Sequence, residues 1–162
     1  AISAVNRKDN DMRKITKRMS VYLVDDDADD RMIFAQAIAE VAENCSLVNF
    51  SNGRKIIDFL RTPEGRLELP DLLLLDINMP ILDGLAALEI IRTEMKLYSL
   101  PIAMYSTSSL DADITKALVL GANLYITKPN SFDDLTVLLR KALSAVIQHN
   151  DDFDYSTFVM TI

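Results

Sequence analysis

A single cysteine, Cys45, stands in this 162-residue chain, so no intramolecular disulfide can form, which suits a cytoplasmic setting. No apolar run is long enough to span a membrane and no signal-peptide core is present, so membrane insertion is not expected. Basic residues are outnumbered. Lys+Arg 17 against Asp+Glu 24 leaves a net charge of -7, which argues against nucleic acid as the main partner. The one basic cluster, Arg7, Lys8, Arg13, Lys14, Lys17 and Arg18, precedes the first strand and reads as a solvated lead-in. Internal repeats and low-complexity tracts are missing too. What is there is apolar: 49% hydrophobic residues suit one globular domain with a full core.

The organising stretch runs from Pro70 to Gly84, PDLLLLDINMPILDG. Leu72 to Leu75 show no alternation, which fits a central strand covered on both faces. Asp76 closes the run, and Pro80 and Gly84 break the pattern before a helix carrying Leu85, Leu88, Ile91 and Met95. Asp76 thus leaves the sheet at a carboxyl end, where open α/β sheets gather their ligands.

Around it the same order repeats. Val21 to Val24 form a strand running into Asp25, Asp26 and Asp27, and a helix follows with Ile33, Ala37, Ile38 and Val41 inward. Leu47 to Phe50 make the next strand; Asn52-Gly53 opens a helix with Ile56, Ile57 and Leu60 inward, which Thr62-Pro63-Glu64-Gly65 ends. Ile102 to Tyr105 give way to the hydroxyls Ser106, Thr107, Ser108 and Ser109, then to a helix with Ile114, Ala117 and Leu118 that stops at Gly121. Leu124 to Thr127 end at Lys128-Pro129, and Ser131 with Asp134 resembles a capping box ahead of a helix from Leu135 to Val146. Five strand-helix units with crossover-length connections imply a doubly wound (βα)5, flavodoxin-like three-layer α/β domain with a five-stranded parallel sheet. The tail from Asn150 is expected to fray, or else to pack on a neighbouring subunit or partner.

If the first and third strands are neighbours, Asp25, Asp26 and Asp76 converge. Two carboxylates about 4 Å apart repel by roughly 4 kcal/mol at an effective dielectric of 20, so protons or a cation must offset them. Carboxylates and carbonyls without His or Cys favour a hard ion, and Mg²⁺ suits best because it keeps waters and accepts phosphate oxygens. Lys128 and Ser106 bring a fixed cation and a hydroxyl to the same edge. That set can hold an incoming phosphoryl group, with Asp76 as the nucleophile that forms an aspartyl phosphate.

Val24-Asp25-Asp26, Asp76-x-x-Met79-Pro80 with Asp83-Gly84, Ser106, and Tyr125-x-x-Lys128-Pro129 resemble the signature of response-regulator receiver domains of two-component systems. The match divides the chain into an extension (1–19), a receiver domain (20–149) and a tail (150–162). The resemblance implies Asp76 as phosphoacceptor, Lys128 as the phosphoryl-contacting lysine, and Mg²⁺ held by Asp26, Asp76 and the Asn78 backbone carbonyl, with Asp25 acting through water. It further implies a cis Lys128-Pro129 bond, a switch in which Ser106 moves toward the phosphoryl group while Tyr125 turns inward, and lifetime tuning by Asn78 and Thr107. Serine at 106, Asn130 after the Lys-Pro and a long loop from Thr62 to Leu69 depart from the commoner pattern.

The expected partners are a sensor histidine kinase or phosphotransfer protein and a downstream protein target, since the tail after His149 is too short for an output domain. The long loop and tail resemble the stand-alone branch that includes regulators partnered with phytochrome-type kinases. A docking module that signals without phosphorylation, dimerising through the last helix and tail, is the binding-module alternative. A phosphohydrolase would need an acid where Asn78 stands, and Asp25-Asp26-Asp27 would repel the phosphate of a flavin nucleotide.

Overall fold

The computed structural model describes residues 13–149, 153 and 158–162. Among these residues six strands make one parallel sheet in the order β2-β1-β3-β4-β5-β6: β1 (Met19–Val24), β2 (Cys45–Phe50), β3 (Leu72–Leu75), β4 (Ile102–Ser106), β5 (Leu124–Thr127) and β6 (Val159–Met160). Period-two geometry explains the unalternated leucine run: Leu72 and Leu74 point into one core, Leu73 and Leu75 into the other. Each buried leucine contributes about 1.5–3 kcal/mol relative to exposure. With both faces covered, the run has no polar side to show.

One face is covered by α1 (Ala28–Val41) and α6 (Phe132–His149), the other by α2 (Gly53–Arg61), α4 (Gly84–Glu89) and α5 (Asp111–Leu120). Side-chain caps set the starts. Asp27 accepts from the amides of Asp29 and Asp30, Asn52 from Lys55, Asp83 from Ala86, and Ser131 from Asp134 as its sequence motif predicts. Gly121 ends α5 at φ 100°, a left-handed conformation suited to glycine.

Several expectations are corrected. In α1 the inward face starts at Phe34, with Ala37, Ile38 and Val41 beside it, while Ile33 is 40% exposed. The spacing i, i+3, i+4, i+7 holds from position 34, so 33 falls on the solvent side. Leu118 of α5 is likewise exposed at its edge. The segment after Thr62 is not all loop, because Pro63 occupies a first helical turn and the Thr62 hydroxyl accepts from the Gly65 amide, giving α3 (Pro63–Leu67). Beyond α4 the chain continues as a π-helical turn (Ile90–Glu94) that turns Arg92 inward. There Arg92 donates to the carbonyls of Gly121, Leu97 and Leu100 and to the Asn123 side chain. Burial lowers the Arg92 pKa to about 10.

The Lys128-Pro129 bond is trans, as no cis peptide occurs among the described residues. Trans is the lower-energy isomer of such bonds by about 0.5–1 kcal/mol. Described segments on either side of the five strand-helix units also attach to the domain. Ile15 forms a bridge with Ala42, its amide donating to Val41 and its carbonyl accepting from Glu43. Arg7 and Lys8 of the basic cluster lie outside the described residues, and Arg13, Lys14, Lys17 and Arg18 are exposed. Of the tail, Phe158 is buried and Val159–Met160 add a sixth strand beside β5, so this part packs on its own domain rather than fraying. Tyr155 and the other acidic-tail residues lie outside the described set, apart from Phe153.

Gly84 carries a consequence for the site. A Cβ there would lie 2.0 Å from the Asp76 carbonyl oxygen, closer than any real contact. Gly84→Ala is expected to destabilise the protein by about 1–3 kcal/mol in urea unfolding, the usual cost of overpacking.

Candidate functional site

The carboxylates meet because β1 and β3 are neighbours in register. Val24 pairs with Leu75, and the Asp76 amide donates to the Val24 carbonyl at 3.0 Å, so Asp25 and Asp76 leave the sheet side by side. Asp25, Asp26 and Asp76 each offer an oxygen, all within 4.8 Å of one another. Asp25 is fully buried, Asp76 is 7% exposed, and Asp26 faces solvent. On the other side of β3, Ser106 pairs with Thr127, and the Lys128 amide donates to the Ser106 carbonyl at 2.8 Å. Strand register thus brings positions more than fifty residues apart to one mouth.

Lys128 fills that mouth. Its Nζ donates to Asp25 Oδ2 at 2.8 Å, to Asp30 Oδ2 at 3.0 Å and to Asp76 Oδ2 at 3.3 Å, and lies 4.9 Å from the centre of the Tyr105 ring. The other Asp25 oxygen accepts from the Asp27 amide at 2.9 Å, and the Asp25 carbonyl accepts from Arg31 at 2.7 Å. Both oxygens of the most buried acid are therefore engaged.

These contacts set the protonation of the site. Burial pushes the Asp76 carboxyl above its ordinary value; Lys128 pulls it down, Asp25 pushes it up, and a hydrogen bond from the Asn78 backbone also lowers it. Burial would lower the Lys128 ammonium. The hydrogen bond to Asp25 and the charges of Asp76 and Asp25 outweigh that, so it stays protonated well above its ordinary value. This ammonium and the Arg31 guanidinium still stand against four carboxylates, those of Asp25, Asp26, Asp30 and Asp76. The remaining repulsion leaves room for a further cation. Clustered carboxylate oxygens, with no softer ligand among them, fit a hard divalent ion.

The hydroxyl side is a second, connected set. Ser106 is fully buried and its Oγ accepts from the Ser108 amide at 3.2 Å. The Ser108 hydroxyl bonds to Asp113, and the Ser108 carbonyl accepts from the Tyr125 hydroxyl at 2.8 Å. Tyr125 is fully buried. Burial raises its phenol pKa, while hydrogen bonding with Ser108 and Ser106 works against the rise. Tyr125 already points inward in this structure. Asn78 and Thr107 are exposed on the loops that follow Asp76 and Ser106.

Asp30, Arg31, Tyr105 and Ser108 escaped the sequence reading. Asp30 passes for a helix-capping acid, and only its position one turn beyond Asp26 hints that it could reach the same lysine. Tyr105 passes for core. Nothing in the spacing marks it as the ring beneath an ammonium.

Residues 21–140 match the family described as the response regulator receiver domain. The chain is 31% identical over 116 residues to the probable methanogenesis regulatory protein FilR2 of Methanothrix harundinacea, covering 71% of this chain and 75% of that one. It is 34% identical over 128 residues to the DNA-binding transcriptional regulator NtrC of Escherichia coli K12, covering 79% of this chain but only 25% of NtrC. Among solved structures, the phosphorylated cyanobacterial phytochrome response regulator RcpA superposes with a TM-score of 0.73 at 27% identity, over 82% of this chain and 96% of that one.

Removing the lysine isolates the charge it holds. Lys128→Met is expected to cost about 3–5 kcal/mol in urea unfolding with EDTA present, the penalty of leaving a buried carboxylate unpaired. Adding Asp25→Asn to that variant should recover part of the loss.

Proposed function

The chain belongs to the response regulator receiver family of two-component signalling, and from that premise we propose that Asp76 accepts a phosphoryl group from a sensor histidine kinase or phosphotransfer protein. Receiver domains are signalling modules rather than turnover enzymes, and this one would catalyse its own phosphorylation and its reversal. The observation that carries the proposal is the Lys128 ammonium bridging Asp25 and Asp76 at the ends of adjacent strands.

In the proposed step an Asp76 oxygen bonds to phosphorus as the P–N bond of a donor phosphohistidine breaks and its electron pair returns to the imidazole. Asp76 lies near the surface, with enough burial to be desolvated and enough exposure to be reached. Lys128 can exchange its 3.3 Å contact with Asp76 for a phosphoryl oxygen while keeping Asp25 and Asp30 as anchors. Ser106 supplies the hydroxyl donor, and Tyr125 follows through Ser108. Mg²⁺, held by Asp26, Asp76 and the Asn78 carbonyl, would neutralise the charge of the transferring group. Asp25 would act through water, which agrees with its oxygens being engaged by Lys128 and the Asp27 amide. Asn78 and Thr107, at the loop tips, would set how long the aspartyl phosphate lasts.

The signal would leave as a change in the surface formed by the loop after β4 and the end of β5, read by a downstream protein. A cytoplasmic location and homodimerisation through α6 and the tail belong to the same reading. Among the described residues no helix is long and apolar enough to cross a membrane.

Incubation with acetyl phosphate and Mg²⁺ is expected to add one phosphoryl group by intact mass, and none to Asp76→Asn. An unchanged addition in that variant would refute the assignment. Free Mg²⁺ at 100 times its Kd should stabilise the wild type by about 2.7 kcal/mol. Asp26→Asn should lose most of that gain in parallel thermal melts.

A further inference from the structure

The described end of the tail is attached to the same tyrosine that links to Ser106. Phe158 is 5% exposed, its ring centre 6.5 Å from that of Tyr125 and tilted by 51°. Its carbonyl accepts from the Tyr125 amide at 2.7 Å, and Val159 and Met160 then pair in parallel with Tyr125 and Ile126. Tyr125 is therefore held at two ends: its hydroxyl by the Ser108 carbonyl on the site side, its ring and amide by Phe158 on the tail side.

The second hold is weak enough to be conditional. A two-residue strand offers few ladder bonds, so β6 depends on side-chain contact to stay, and Phe158 packs in the core that contains Tyr125, Met104 and Ala117. With β6 absent, β5 would be the open edge of the sheet and its central ring would lose the aromatic partner that shields it. A phenol beside an open edge can turn outward and hydrate its hydroxyl. Phe158 packs its ring beside Tyr125 on that edge.

We propose that Phe158 is a positioning residue for the phosphoryl site: with β6 it holds Tyr125 inward, keeping the Ser108 carbonyl and the Ser106 hydroxyl arranged beside Asp76, so that tail docking and Asp76 occupancy favour each other. The proposal rests on the phosphoacceptor reading above. Coupling between two sites is reciprocal, so the factor by which docking tightens a phosphoryl mimic equals the factor by which the mimic tightens docking. The tail strand is then part of the switch rather than a passive edge cover.

Beryllofluoride with Mg²⁺ serves as the mimic on the full chain, its affinity measured by fluorine NMR and the tail's attachment by hydrogen exchange at the Tyr125 amide. Phe158→Ala is expected to weaken beryllofluoride binding about fivefold or more, and saturating beryllofluoride should slow Tyr125 exchange in the wild type by a similar factor. In a Tyr125→Phe background, which removes the hydroxyl link, Phe158→Ala should leave the affinity unchanged. Wild-type affinity in Phe158→Ala, together with faster Tyr125 exchange, would show an edge cover only and overturn the proposal. Should Phe158→Ala unfold, Phe158→Leu keeps the core filled and must still weaken binding for the proposal to stand. A wild-type protein that binds no beryllofluoride would instead refute the phosphoacceptor reading itself.

Discussion

The Lys128 ammonium is the interaction on which the rest of the site depends. Three carboxylates accept hydrogen bonds from one nitrogen, two of them buried, and a buried carboxylate left without that partner is costly. The lysine can do this because it comes from the end of β5, two strands away from β3, with a side chain long enough to cross the mouth over the Tyr105 ring. Asp25 and Asp76 stay in place because β1 and β3 are paired to their last residues, and Asp30 because it lies in the first turn of α1. The acidic mouth is a property of the sheet's register, and the helices serve it by burying both faces.

That arrangement is compensated only in part. Four carboxylates against Lys128 and Arg31 leave the mouth anionic, and burial pushes the Asp76 carboxyl toward holding a proton. A site in this condition favours a divalent cation, and it favours a nucleophile whose charge can be taken up by an incoming electrophile. Beside the mouth a chain of contacts runs from Ser106 to Ser108, from Ser108 to Tyr125, and from Tyr125 to the strand formed by the tail.

The acidic ends of the first and third strands, the lysine after the fifth and the serine after the fourth were legible in the chain because each sits where an apolar run stops. Apolar runs and breakers are local signals. The helix faces were legible only approximately: Phe34 displaced Ile33 from the core of α1 because sequence periodicity gives the spacing of a stripe but not always which residue starts it. The short helix at Pro63–Leu67 was hidden because proline and glycine, read as breakers, are welcome in a first turn and at a close backbone approach.

Local chemistry by itself determined the five strand-helix units, the helix openings at Asn52 and Ser131, and the placing of Asp76 at a strand end, because apolar period, capping side chains and turn residues act within a few positions of one another. Only the tertiary structure decided that Asp30 joins Asp25 and Asp76 on Lys128, that Tyr105 lies under the ammonium, and that Phe158 closes over Tyr125 as a sixth strand. Each of these contacts is made between residues distant in the chain. It exists because neighbouring strands share a register and the sheet has an edge to fill, and no window of sequence contains either fact.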